Sequence, residues 1–239
     1  MIVVGIDTST PQISVAIGSE REILGRIQIS GRARQETVTP ALRQLLEWTG
    51  VELSHVGGFA VGVGPGLFTG LRVGVETAKT LAQVVRSPIV GLVSLDVLAY
   101  AVRFTPRKIV AVIDARRGEV FWAAYRQVPG GVMRQTPYAV ARPDALVAEL
   151  MASSEEVLLV GDGAMLYREQ LEELGADAEF ASAASAHPDA AQLVELAVPR
   201  FLREEHDRLF EVVPLYLRRS DAEIAWDRRA RGAAVDPDG

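Results

Sequence analysis

Two aspartates stand where chemistry would be expected. Each ends a short apolar run and opens a polar turn: Asp7 in Asp7-Thr8-Ser9-Thr10, and Asp114 in Asp114-Ala115-Arg116-Arg117-Gly118-Glu119. A carboxylate at a strand end can hold a metal ion or a water while N–H groups of the turn approach a phosphate. The first turn offers the hydroxyls of Thr8 and Ser9 in place of glycines, and could still form such a cradle. Those four residues alone favour a plainer reading, an Asp/Thr turn closed by local side-chain bonds. In the second turn Arg116 and Arg117 supply charge but obstruct close backbone approach, and Glu119 repels an anion. A side-chain anion site and a solvated turn both stay open there. Gly161-Asp162-Gly163-Ala164 fits an adenine-binding turn or a simple helix opening. The densest glycine run, from Gly62 to Gly74, lacks the Gly-Lys-Ser/Thr ending of a phosphate loop and the acidic partner of a dinucleotide site.

Other chemistries find less support. His55, His187 and His206 are far apart, none at metal-ligand spacing, and each reads as a loop or surface residue. Cysteine is absent, which removes thiolate nucleophiles, disulfides and zinc-thiolate sites. No Gly-x-Ser-x-Gly elbow supports a serine triad. The 239 residues carry 25 basic and 31 acidic side chains, net charge -6, so stand-alone nucleic-acid binding is not expected. With 49% hydrophobic residues the chain is globular, and no apolar run nears the ~20 residues of a membrane span. No secretory leader is expected at the start, and a cytoplasmic location fits the absence of cysteine.

The elements that must position these residues come in two similar sets. Residues 2–6 and 13–17 read as a hairpin, and 23–29 alternate as a third strand. A helix follows over 39–48, with Leu42, Leu45 and Leu46 inward and Gly50 as its stop. A strand over 58–63 and a helix over 69–85 complete the set. Residues 109–113, 120–125 and 132–139 restart the pattern as strands, followed by a helix over 143–151, a strand over 157–160 and a helix over 164–174. Identity between the halves is poor, so the repeat is architectural: βββαβα twice. Such a duplication, each copy opening on a strand that ends in Asp, suggests the two-lobed α/β fold of actin-like ATPases and sugar kinases (the ASKHA, RNase H-like plan). The expected lobes are residues 1–106 and 107–220, joined through 102–108, with a helix over 190–205 that can pack back on the first lobe. Residues 212–217 read as extended, and 221–239 as a disordered tail.

The helix over 69–85 has a surplus of apolar surface. Arg72, Glu76, Lys79, Gln83 and Arg86 form one polar stripe, with Arg72–Glu76 and Glu76–Lys79 pairs within reach. Leu71, Val75, Ala78, Ala82 and Val85 form one apolar stripe, and Val73, Leu81 and Val84 a second. At ~100° per residue the apolar arc exceeds half the circumference, more than one sheet face requires. Gly70 and Gly74 would let another backbone come close. The helix is therefore either sandwiched within its own domain or docks a partner; docking is favoured, because a small two-lobed protein has little with which to cover it. The expected contact residues are Leu42, Leu45, Gly70, Val73, Gly74, Thr77, Leu81 and Val84.

Four segments together resemble the bacterial TsaB (YeaZ) family: Asp7-Thr8-Ser9-Thr10, the run Gly64-Pro65-Gly66-Leu67-Phe68-Thr69-Gly70-Leu71-Arg72-Val73-Gly74, Ile113-Asp114-Ala115-Arg116-Arg117-Gly118-Glu119-Val120, and Pro214-Leu215-Tyr216-Leu217-Arg218. Their order and spacing extend over nearly the whole chain. The resemblance implies a non-catalytic subunit in the formation of N6-threonylcarbamoyladenosine (t6A) at position 37 of ANN-decoding tRNAs. It implies as partners the paralogous transferase TsaD and the ATPase TsaE, a homodimer when alone, and tRNA contact only through the complex. It implies no metal and no cofactor in isolation, since ATP, ADP and magnesium belong to the partner subunits or their junction. Asp7, Thr8, Ser9, Asp114, Arg116, Arg117, Gly161 and Gly163 would then line a degenerate nucleotide cleft. Where the family often carries His-Ser-Glu, this chain has Arg34-Gln35-Glu36. The rival reading is a stand-alone kinase or ATPase using Asp7 and Asp114 with magnesium.

Overall fold

A computed structural model describes residues 1–31 and 35–218. The expected tail at 221–239, and Arg34 of the family departure, lie outside the described residues. Two mixed sheets form two lobes. The first contains β1 (Ile2–Asp7), β2 (Ile13–Gly18), β3 (Ile23–Ile29), β4 (Val56–Gly64) and β5 (Ile89–Val93), in the spatial order β3-β2-β1-β4-β5. The second contains β6 (Lys108–Arg116), β7 (Glu119–Val128), β8 (Gly131–Arg134), β10 (Val157–Val160) and β11 (Ala178–Phe180), in the order β11-β10-β6-β7-β8, while β9 (Ala139–Ala141) pairs with β7. This is the duplicated actin-like plan read from the sequence.

Sequence explains the roles within each sheet. β1, β4 and β6 are near-continuous apolar runs and lie at sheet centres, covered on both faces. β3 alternates because it is an edge strand with one face in solvent. The expected strand over 132–139 splits into β8 and β9 at Thr136-Pro137. Proline offers no N–H to a ladder, and Thr136 Oγ1 instead accepts from the backbone of Ala124 at 2.9 Å. The expected helix over 164–174 is also broken, into α5 (Asp162–Leu166), α6 (Arg168–Leu171) and a further turn in which Gly175 has φ 71°. The sequence reading missed β5, α3 (Ser94–Ala101) and β11. It placed no ladder at 212–217, and the structure has none there, only an extended run.

The helices cover the sheets in a crossed manner. α1 (Val38–Thr49) and α2 (Phe68–Val85) pack on one face of the first sheet, with Val38, Leu42, Leu45, Val75 and Ala78 in one core cluster with Val4, Ile6 and Phe59. The other face is covered by α7 (Ala190–Leu202), late in the chain, whose Leu193, Val194 and Ala197 meet Val3, Ala16 and Ala60. α3, early in the chain, packs instead on the second sheet, where Leu95, Leu98 and Ala99 meet Ile109, Ile113 and Phe121. α4 (Pro143–Met151), α5 and α6 take that sheet's opposite face. Among the described residues no helix is long and apolar enough to cross a membrane.

Candidate functional site

The first turn is shut. Asp7, Thr8, Ser9 and Thr10 are all buried, Asp7 and Ser9 fully. Asp7 Oδ1 accepts from the Ser9 amide (2.9 Å) and hydroxyl (2.7 Å), and Oδ2 accepts from Ser94 Oγ (3.4 Å). Burial pushes the Asp7 carboxyl up to about 6, although those donors pull it down. The cover is the glycine run itself. A β-carbon on Gly62 would land on Asp7 Oδ2, one on Gly66 on the Ser9 carbonyl, and one on Gly74 on Thr8 Oγ1. The Leu67 amide donates to the Ser9 carbonyl at 2.7 Å, and Thr8 Oγ1 donates to the Gly70 carbonyl at 2.7 Å. Thr10 Oγ1 is buried with no partner among the described residues, a single hydroxyl and not a ring of N–H donors. These residues do not fit a phosphate or a metal: both oxygens of Asp7 already accept hydrogen bonds, burial penalises its charge, and the glycine loop occupies the space above it.

The second turn departs from expectation in the opposite sense. Arg117 (φ 60°) and Gly118 (φ 75°) form a two-residue turn between Arg116 and Glu119, which pair across β6 and β7. Arg116, Arg117 and Gly118 are exposed. Arg116 does not fill the groove; its guanidinium folds back to 3.1 Å from Asp114 Oδ2, while its amide donates to Oδ1 at 2.8 Å. The obstruction expected at the second hairpin thus lies at the first, and the arginine neutralises the second carboxylate. Glu119, read as repelling an anion, is paired with Arg218 at 2.8 Å.

Gly161 and Gly163 serve close packing. A β-carbon on Gly161 (φ 120°) would land on the Val112 carbonyl, and one on Gly163 would lie 2.9 Å from the backbone carbon of Ile113. The approach lets Asp162 Oδ1 accept from the Asp114 amide at 3.1 Å. Burial pushes Asp162 up to about 6, and the nearby Asp114 charge adds to this. His187 sits half-buried, its Nδ1 4.0 Å from Asp162 Oδ2 and without a hydrogen bond among the described residues, and its pKa is lowered by burial. Ser94, Asp162 and His187 were missed as site residues; the Gly-Asp-Gly spelling was the one signal for Asp162.

The expected contact residues on α1 and α2 divide. Leu42 and Leu45 are 3% and 2% exposed, locked in the first lobe's own core, and cannot meet a partner. Gly74 is buried against the Thr8 turn, so its small size serves the hairpin rather than a second subunit, and Gly70 is buried with its carbonyl held by Thr8. Leu81 is half-buried and packs on the same core. What remains outward is narrower and less apolar than the arc suggested. Val84 is 71% exposed; Val73 and Thr77 are half-buried, and Thr69 and Thr80 are exposed on the same side. Glu76 pairs with Lys79 at 3.3 Å. Arg72 turns instead to Tyr216, donating to its hydroxyl at 3.1 Å and lying 4.0 Å over the Phe68 ring.

Tyr216 belongs to a strap across the lobes. The Leu215 amide donates to the Val63 carbonyl in the first lobe at 2.7 Å. Tyr216 pairs its ring with Phe68 at 5.1 Å, Leu217 packs into the second lobe's cluster, and Arg218 holds Glu119.

Comparison with known proteins agrees with this arrangement. The family model for TsaD, described as tRNA N6-adenosine threonylcarbamoyltransferase, matches residues 27–226. The tRNA threonylcarbamoyladenosine biosynthesis protein TsaB of Escherichia coli K12 is 27% identical over 95% of this chain and 98% of its own length. The Bacillus subtilis TsaB is 29% identical, with the same shares covered. A crystal structure of a Pseudomonas aeruginosa protein with similarity to the peptidase YeaZ superposes with a TM-score of 0.78 at 30% identity, over 91% of this chain and 99% of that one. Family model, relatives and solved structure run along the same residues, and the chain belongs to the TsaD family, on its TsaB (YeaZ) side.

Proposed function

We propose that this protein is a non-catalytic subunit for t6A formation at position 37 of ANN-decoding tRNAs, acting in the cytoplasm by binding and activating a TsaD-type transferase together with a TsaE-type ATPase. The observation that carries this reading is the whole-length kinship with TsaB. The shut first turn supports it: a turn filled by the chain's own glycine loop leaves no room beside the buried aspartate for a metal or a phosphate. On this reading the two aspartate turns hold no nucleotide, and the ATP and magnesium of the reaction belong to the partners. The Arg116–Asp114 pair supports the same conclusion, since it neutralises the second carboxylate. The stripe Val73, Thr77 and Val84 on α2 is the docking surface, for TsaD in the complex and for a second copy of this chain otherwise.

Co-sedimentation of the full chain with TsaD tests the reading. A 1:1 complex is expected, with TsaD dissolving any homodimer and Val84→Asp weakening both assemblies while the melting temperature holds. Turnover of Mg-ATP by the isolated chain, or failure to associate with TsaD, would overturn it in favour of an independent ATPase or a self-contained module.

A further inference from the structure

A second built site lies at the far end of the second lobe. Asp114 pairs with Val120 at one end of the β6–β7 ladder, and Tyr125 pairs with Ile109 at the other. There a cavity of about 610 Å³ opens between α3, β7 and β8, with Leu92 and Leu196 lining it from the first lobe's side. The size lies within the roughly 300–1,000 Å³ of small-molecule sites. Its polar centre is Asp96. Oδ1 accepts from the hydroxyls of Tyr125 (2.7 Å) and Tyr138 (2.9 Å), and Oδ2 accepts from Tyr138 (2.8 Å). Each phenol oxygen keeps lone pairs after donating, so this corner is a fixed cluster of acceptors that favours a ligand bearing N–H donors.

The rest of the lining is largely aliphatic, with the Tyr100 ring and one cation, Arg134, and Arg103 stands in the adjoining smaller cavity. The Arg134 guanidinium lies 3.8 Å over the Tyr138 ring, and that of Arg103 lies 3.8 Å over Tyr100. Arg103 also reaches Glu195 at 3.4 Å and Arg134 acts on the Asp96 carboxylate, so both charges are partly offset; Arg134 is the cation that lines the larger cavity. A smaller cavity of about 280 Å³ shares Tyr100, Val128, Gly130 and Gly131, and adds Arg103 and the exposed Phe104. Phenol and guanidinium planes stack flat rings, and a guanidinium beside them takes a phosphate.

We propose that this cavity binds a purine nucleoside phosphate, its ring against the tyrosine planes, its N–H edge on the Asp96–Tyr125–Tyr138 cluster and its phosphate at Arg134. The same chemistry has two sources, a free mononucleotide or an unpaired purine of an RNA. The inference does not depend on what docks on α2.

Calorimetric titration of the full chain with GMP, AMP and their nucleosides tests the site, alongside a purine-rich single-stranded RNA octamer and a blunt RNA duplex. Gly131→Leu fills the cavity: a β-carbon there would sit 3.9 Å from Tyr100, in ordinary contact. It is expected to abolish binding. Arg134→Ala is expected to weaken the nucleotide about tenfold and leave the nucleoside unchanged. Binding of the mononucleotide assigns a free ligand; binding of the octamer alone, lost in the same variants, assigns an unpaired RNA residue. The exposed Arg134 variant decides the matter if Gly131→Leu does not fold. No saturable binding of any of these probes, duplex binding equal to that of the octamer, or affinities unmoved by both variants would overturn the proposal.

Discussion

The hydroxyl of Thr8 sits where a β-carbon on Gly74 would have to go, and it donates a 2.7 Å hydrogen bond to the Gly70 carbonyl one turn earlier. Helix propensity alone would have Gly74→Ala stabilise the protein by about 1 kcal/mol. The collision reverses the sign: Gly74→Ala is expected to cost about 1–3 kcal/mol in urea unfolding. Combining it with Thr8→Ala should cost less than the sum of the two single changes, because the second removes the obstacle. Full additivity would show that the helix shifts freely off the turn.

Asp7 makes stability depend on pH in a specified direction. Its carboxyl rises from 3.8 to about 6 on folding, so the folded protein holds the proton more tightly than the unfolded one. The contribution is fully present below about pH 4 and is lost as pH rises through 6, a change of about 3 kcal/mol. Asp7→Asn is expected to flatten that part of the stability curve and to melt higher than the parent at pH 7. Parallel curves for the two proteins would refute the assignment.

Leu81 and Val84 lie on neighbouring lines of α2 but do different work. Val84→Asp places charge on an already exposed position and is expected to change stability by less than about 0.5 kcal/mol. Leu81→Asp puts charge against the first lobe's core and should cost about 2 kcal/mol or more. Thermal melts of the two variants measure the difference, and similar losses would mean that the outer stripe is not free surface.

The Arg218–Glu119 pair is partly exposed, so Arg218→Ala should lower global stability by no more than about 1 kcal/mol. Its local effect is larger. Hydrogen exchange at the Leu215 amide, which is held by Val63, is expected to speed up while core amides stay unchanged.

Much of the architecture was legible because central strands write themselves as apolar runs and edge strands as alternation. Residues 89–101 were not, because β5 and α3 run together in a mostly apolar stretch with no glycine or proline at the strand-to-helix change at Ser94. The cleft was legible as a set of residues and misread as a set of distances. Sequence displays Arg116 as bulk at a turn, but whether its side chain enters the groove or folds back on Asp114 depends on left-handed backbone at Arg116 and Arg117. Likewise Gly70 and Gly74 announce close approach without saying to what, and the Thr8 turn is 62 residues away from Gly70 along the chain. The inward spacing of Leu42 and Leu45 excludes them as contacts, since one side chain cannot serve both faces of a helix.

The crossed placement of α3 and α7 makes each half of the molecule complete only in the presence of the other. A polypeptide ending near residue 105 would leave Leu95 and Leu98 without the sheet they cover, and would bare Val3, Ala16 and Ala60 to water. Its complement would suffer the reverse. Reciprocal fragments of this kind should be sticky singly and reconstitute when mixed, and the intact protein should melt in a single transition. Opening and closing of the two halves is thereby restrained by two helical crossbars.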